Sequence, residues 1–292
     1  MKSLIWRINQ YQKERFPLLK NFIFILLYFF GFYNLSLFIN EIHFSFTPVK
    51  IIGFFTIFLI FLQIRLFDEI KDYDVDNKFA PERPVQRGII SIKEIKIFSI
   101  FLTFILFILN LFLGIKDFFS FLLLQIFILL TLKEFFFGHI LRKNRLFYAS
   151  LHMLVMVFIS NYIYLIACQF IRKNAIPIYF LSYLSGFIIE IGRKIESPEN
   201  NKSGLDTYSK LLGYKMATII YISIIFIFSL LSGFLLGKIY FIIIIFGFFI
   251  VFIKSLKFIL SPDTKRRDVM EKYTHLFLIY VFILFIISGF RR

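Results

Sequence analysis

Cysteine is nearly missing from this chain: Cys168 stands alone in an apolar stretch. A single thiol excludes both an intrachain disulfide framework and a cysteine metal site. Acids are scarce as well, 18 Asp and Glu against 34 Lys and Arg. The DGxxAR-type signature that a CDP-alcohol transferase needs is absent. So is an A-x-A-like cleavage site after the basic, amphipathic start MKSLIWRINQYQKERF. That start therefore reads as a cytoplasmic surface helix within 1–18 leading into a first membrane span, not as a removed signal. What the chain does have is apolar surface: 59% of its 292 residues are apolar and 21% aromatic. Mean hydropathy is +0.80. No soluble domain of this size is so apolar throughout, so the expected class is an all-α polytopic membrane protein.

Apolar windows fall at about 19–40, 50–67, 97–115, 118–135, 146–170, 175–192, 214–236, 239–260 and 273–290. Nine such windows predict nine transmembrane helices. Charge supports the count. Of the 34 Lys and Arg, only Lys50, Lys116, Arg172, Lys173, Lys238, Arg291 and Arg292 fall on the side opposite the N-terminus. The positive-inside rule then places the N-terminus in the cytoplasm, as expected for a multi-pass protein of a prokaryotic cytoplasmic membrane. Most of the net charge of +16 is thereby topogenic and close to anionic lipid headgroups, so no nucleic-acid partner is implied. The run Lys265–Arg266–Arg267 reads the same way, as topogenic or lipid-contacting. No obligate protein partner is implied either. The two long polar loops, about 68–96 and 193–213, both fall on the N-terminal side, where function should concentrate.

The first of these loops opens with Asp68, Glu69, Asp72, Asp74 and Asp76, five acids in nine positions. Acids at the end of a membrane span usually survive because they bind something. Asp68, Asp72 and Asp76 are spaced i, i+4, i+8, and Glu69 lies three before Asp72, so a continuing helix stacks them on one face. Stacked like charges need a cation. All-oxygen ligands suit Mg2+, which takes one or two protein carboxylates and completes its shell with water and phosphate. Asp74 points away from the stack. The second loop begins with Glu190 and Lys194 at i, i+4, turns through Pro198 and Gly204, and continues to Asp206, Tyr208 and Lys210.

DExxDxxxD followed by PERPVQRG resembles the first signature of the UbiA superfamily of intramembrane prenyltransferases. That signature usually reads NDxxDxxxD and is followed by Arg-Pro and a small residue. The resemblance implies helices around a central cavity open to lipid and two acidic motifs that hold Mg2+ on a polyprenyl diphosphate. It also implies transfer of the prenyl group to a lipophilic acceptor such as a quinone precursor. Carried onto this sequence, the metal ligands are Asp68, Glu69, Asp72 and Asp76, joined by Glu190 and Asp206 from the second motif. The departures are Asp68 for Asn and Glu69 for Asp, which keep oxygen ligands, and Lys194 where the second motif, usually DxxxD, has an acid. A lysine cannot bind Mg2+ but can meet the diphosphate as a point charge, so Asp72, Asp76 and Lys194 carry the catalytic expectation.

Further candidate diphosphate donors are Arg83, Arg87, Arg193 and Lys210, with Tyr208 beside them. A third basic segment between the fourth and fifth windows adds Lys133 and Arg142. His152 and Asn161 share roughly one face of the fifth window. They either position the acceptor or make interhelical hydrogen bonds. Glu190 and Lys194 could equally close a helix end as an ion pair, and Asp206 could cap the next helix with Thr207. The whole of 1–292 reads as one prenyltransferase domain. The rival reading is a non-catalytic or transport-type membrane protein that binds a prenyl lipid or a divalent cation.

Overall fold

The computed structural model describes residues 3–44, 47–141, 143–200 and 207–290. Among them every regular element is helical. Eight helices, counting Arg145–Cys168 as one, are long and apolar enough to cross a membrane. They match eight of the nine expected windows. The remaining window, 97–115, corresponds to the helix Ile92–Leu111. Its first five residues include Lys93, Glu94 and Lys96, so its apolar part begins only at Ile97. Ile100, Phe101, Phe104 and Leu111 still form an exposed apolar stripe along it.

The described residues cluster into two compact units, one of 1–29 and 45–144, the other of 30–44 and 145–292. In the first, α1 (Leu4–Arg15) is followed by α2 (Leu18–Asn40), whose later residues belong to the second unit. Next come α3 (Pro48–Lys71), α4 (Tyr73–Phe79), α5 (Ile92–Leu111) and α6 (Ile115–Leu132). Pro48 sits in the first turn of α3, where its missing N–H costs nothing. Ser91 and Glu94 close a reciprocal capping box at the start of α5. Phe22, Phe29, Phe54 and Phe58 meet in tilted and edge-on pairs, joining α2 to α3.

Inside this unit a polar cluster ties α3, α5 and α6. Gln63 donates to Thr103 Oγ1 at 2.8 Å, and Gln63 and Gln125 exchange amide hydrogen bonds of 3.0 and 3.1 Å. Thr103 keeps its own bond to the Ser99 carbonyl. Buried amides in an apolar bundle hold helices together because no water competes for them. Gln63→Leu should therefore lower stability by about 1 kcal/mol by stranding Gln125. Gln63→Leu with Gln125→Leu should melt no lower than the single variant, since both unmet groups are gone. Thermal melting of the detergent-solubilised protein checks this.

The second unit holds α7 excepted (Gly138–Leu141, in the first unit), the helices α8 (Arg145–Met153), α9 (Val155–Cys168) and α10 (Ala175–Arg193). They are followed by α11 (Tyr208–Leu212), α12 (Tyr214–Leu236), α13 (Lys238–Leu260) and α14 (Thr264–Gly289). α12, α13 and α14 pack in sequence, and α10 lies against α9 and α12. Gly192 permits the last contact: a Cβ there would lie 2.7 Å from the Tyr221 hydroxyl oxygen.

Candidate active site

The first acid cluster sits where α3 gives way to α4. The spacing argument expects one helix through 68–76, but the helix is interrupted at Asp72, whose φ is −93° and ψ 6°. The hydrogen-bond ladder nonetheless continues. Asp72 N–H donates to the Asp68 carbonyl at 2.9 Å and Asp76 N–H to the Asp72 carbonyl at 2.8 Å. Asp68, Asp72 and Asp76 thus keep their i, i+4, i+8 register. The PERPVQRG tail then makes tight turns, with Arg87 N–H on the Arg83 carbonyl and Ile89 N–H on the Pro84 carbonyl. Gly88 ends them at φ +73°, a conformation that favours glycine, which accounts for the RG ending.

Most of these carboxylates already hold a cation from the chain. Asp68 accepts from Lys71 at 3.1 Å, and Asp76 is paired with Arg83. Glu69, fully enclosed, accepts from both Arg15 and Arg65 at 2.6 Å on one oxygen. Its other oxygen has no hydrogen-bond partner. Asp72 differs: among the described residues its carboxylate has neither an ion pair nor a hydrogen bond. Burial, opposed by Lys71 and reinforced by Asp68 and Asp76, pushes its pKa above the ordinary aspartate value. Burial also raises that of Asp76, against the pull of Arg83. No three Asp, Glu, His or Cys side chains among the described residues are grouped as a metal site. The donor set is nonetheless all oxygen, and a desolvated, unpaired carboxylate between two others fits a hard divalent cation.

Helix α1 reaches this site, which its sequence did not reveal. Arg15 meets Glu69, Glu14 binds Arg87 at 2.7 Å, and Arg7 binds Glu94 at 2.6 Å. Tyr11 is buried; its hydroxyl, desolvated first and then facing Glu69, is pushed up in pKa. A basic amphipathic segment looks like a membrane-surface helix from composition alone. Here its charges at i, i+7 and i+8 are spent on the acidic loop. Gln86, passed over in the sequence, places both amide atoms in enclosed positions without a hydrogen-bond partner.

The second motif lies at the end of α10. Glu190, nearly enclosed, pairs with Arg193 and with Lys194, each at 2.5 Å. The Lys194 ammonium also lies 5.9 Å from the centre of the Tyr208 ring. Tyr208 N–H donates to the Lys194 carbonyl at 2.9 Å, so the start of α11 is stitched to the end of α10. Thr207 caps α11 by accepting from Lys210 N–H at 3.3 Å.

The sequence matches the UbiA prenyltransferase family over residues 24–286. The chain belongs to that family. No curated protein matches it in sequence. Solved structures do. A UbiA homologue of Aeropyrum pernix K1 shares 14% identity at a TM-score of 0.66, covering 92% of this chain and 97% of its own. A digeranylgeranylglyceryl phosphate synthase shares 18% identity at a TM-score of 0.61, covering 94% and 99%. A UbiA homologue of Archaeoglobus fulgidus, bound to DMAPP and Mg2+, shares 12% identity at a TM-score of 0.53, covering 92% and 97%. At such identities the likeness carries the fold alone. This UbiA-family chain is an integral, multi-pass membrane protein.

Other sequence candidates in this UbiA chain fall as follows. Lys133 is exposed at the end of α6, just before the strained left-handed turn Glu134–Phe136. Arg142 and Asp206 lie outside the described residues. His152 stacks on Tyr148 and lies within electrostatic range of Glu190, which brings it toward the second motif. Asn161 accepts a 2.7 Å hydrogen bond from the Tyr179 hydroxyl, the interhelical alternative.

Arg267 is the largest residue missed in the second unit. Its place in a basic run suggested a topogenic charge. The guanidinium instead donates to the carbonyls of Ile195 at 2.9 Å and Arg193 at 3.1 Å, bracketing Lys194. It also pairs with Glu271 at 2.8 Å and Glu196 at 3.6 Å. Only the fold brings residues seventy positions apart together, so no local signal could have found it. Arg267→Gln should cost about 2 kcal/mol by leaving these acceptors unmet. It should also raise protease sensitivity near residue 195, which limited proteolysis of the intact protein reads directly.

Proposed function

We propose that this chain transfers a polyprenyl group from a polyprenyl diphosphate to a lipophilic acceptor within the membrane, as one domain over 1–292. The observation that carries this reading is Asp72, an unpaired, desolvated carboxylate in register with Asp68 and Asp76 at the end of a membrane span. Family membership and the DMAPP and Mg2+ bound to the Archaeoglobus fulgidus homologue support it.

Asp68, Asp72 and Asp76 would hold Mg2+; Glu69, committed to two arginines, serves rather to fix α1 and α3 around them. When bound, Mg2+ neutralises charge that builds on the departing diphosphate. The chain's own basic side chains are the proposed diphosphate donors. Arg83 and Arg87, pre-aimed by Asp76 and Glu14, present guanidinium hydrogens, which suit phosphate geometry. Lys194 and Arg193, both anchored on Glu190, supply cations in place of a second acidic motif, with Tyr208 and Lys210 beside them. Lys133 and Arg142 enlarge this set of donors, and Asp206 would add a carboxylate for the metal. The allylic C–O bond breaks with its electron pair moving to the diphosphate, and the acceptor forms the new bond to carbon and releases its proton. His152 would position or deprotonate the acceptor. The bias of Lys and Arg toward the N-terminal side supports a site at the cytoplasmic face.

The test incubates the purified protein with Mg2+, labelled geranyl, farnesyl and geranylgeranyl diphosphates, and a lipid extract of its host. Release of diphosphate together with a prenylated product is the expected result. Binding of a donor without turnover of any would overturn the enzyme reading in favour of a prenyl-lipid carrier.

A further inference from the structure

The opposite problem of charge occurs at the junction of α13 and α14. There a surface cleft of about 240 Å³ is lined by Lys254, Lys257, Asp263, Lys265, Arg266 and Val269. Four of the six are cations. The single acid is already neutralised: Asp263 caps α14, accepting from Arg266 N–H at 2.7 Å, and also pairs with the Arg266 guanidinium. Lys254 rests on the face of Tyr273, 4.6 Å from its centre. Lys257 and Lys265 have no ion pair and no hydrogen bond among the described residues. Ammonium groups crowded around a neutralised acid call for an anion, by the same reasoning that acids stacked without partners call for a cation.

The position of the cleft selects the kind of anion. It lies where one candidate membrane span ends at Leu260 and the next begins at Thr264, the level at which spans meet headgroups. Beside it, Ile253, Leu256 and Leu260 form an exposed apolar stripe on α13, Leu260 being 82% exposed. Lys254 and Lys257 occupy the neighbouring helical positions. A ligand with a phosphate next to a hydrocarbon chain would meet cations and apolar surface at once. We propose that this cleft binds the phosphate of an anionic phospholipid headgroup, with an acyl chain along Ile253, Leu256 and Leu260. The site belongs to α13 and α14 and does not rest on the transfer reaction. Basic pockets between membrane helices are suited to anionic headgroups.

The experiment titrates the full-length protein in detergent with dioleoyl-phosphatidylglycerol, dioleoyl-phosphatidylcholine or inorganic phosphate and counts the retained ligands by native mass spectrometry. Wild type should retain the anionic lipid in preference. Lys257→Gln with Lys265→Gln should weaken that retention roughly tenfold. Lys257→Arg with Lys265→Arg should keep it, and a charge-matched control, Lys20→Gln with Lys215→Gln, should leave it unchanged. Unaltered elution and melting establish that each variant is folded. Equal retention of the two lipids by wild type would overturn the proposal, as would an equal loss in the control. A cleft that takes inorganic phosphate but not the anionic lipid would overturn it too. Since no prenyl donor enters the experiment, its outcome is separate from that of the turnover assay.

Discussion

Asp72→Asn should abolish most turnover, by about 10²–10³-fold in kcat, while the protein still folds. Asn keeps the shape and one oxygen but loses the charge that distinguishes this position. Asp68, Glu69 and Asp76 already face Lys71, Arg15 with Arg65, and Arg83, so each must loosen a pair to meet a metal, whereas Asp72 need not. The pH behaviour makes the expectation sharper. The Asp72 pKa is raised, chiefly by burial, so the folded state holds its proton more tightly than the unfolded chain does. Stability from this group is present below the ordinary aspartate value and is lost as pH rises through the raised one. Mg2+ competes with that proton, so its stabilising effect should grow across the same window. Melting with and without Mg2+ over a pH series should show this in wild type. In Asp72→Asn the metal-free protein should melt no lower, and the pH-dependent gain from Mg2+ should shrink. A variant that turns over normally, or gains as much from Mg2+ as wild type, would remove Asp72 from the site.

Lys194→Asp should raise the KM for the prenyl diphosphate about tenfold or more and increase the Mg2+ needed for turnover. The change restores the acid that the family's second motif usually has, but not its surroundings. The new carboxylate would stand one helical turn from Glu190, now 2.5 Å from the Lys194 ammonium. Like charges at i, i+4 repel, and a diphosphate nearby would meet two acids where it now meets a cation. Arg193 still closes on Glu190, so the helix end should survive. Steady-state kinetics over a Mg2+ series would read the result. Unchanged KM and Mg2+ demand would contradict any role for Lys194 at the diphosphate.

The fold was largely legible because a membrane span announces itself in one dimension. An apolar stretch long enough to cross hydrocarbon must form a helix, since no water is available to satisfy its backbone. Hence eight expected windows met helices directly. The helix Ile92–Leu111 is the difficult case, because Lys93, Glu94 and Lys96 fall within its first five positions and shorten its apolar part. The acid stack was legible for a similar reason: its members are neighbours on one helical ladder, which carries on through the interruption at Asp72.

Partners distant in sequence were not legible. Arg15 and Tyr11 looked like parts of a surface helix, and Arg267 like one of several topogenic charges. Nothing local distinguishes an arginine that faces headgroups from one that binds the carbonyls of residues 193 and 195. By itself the sequence determined a helical membrane protein with carboxylates in register at the end of its second span. Periodicity and hydropathy are local properties, and both were sufficient for that. Only the tertiary structure decided which carboxylates keep their charge. Arginines from α1 and α3 converge on Glu69 and one from the PERPVQRG turn meets Asp76, while Asp72 is left without a partner. Pairing of this kind depends on distances in space, and side chains far apart along the chain acquire those distances only when the helices pack.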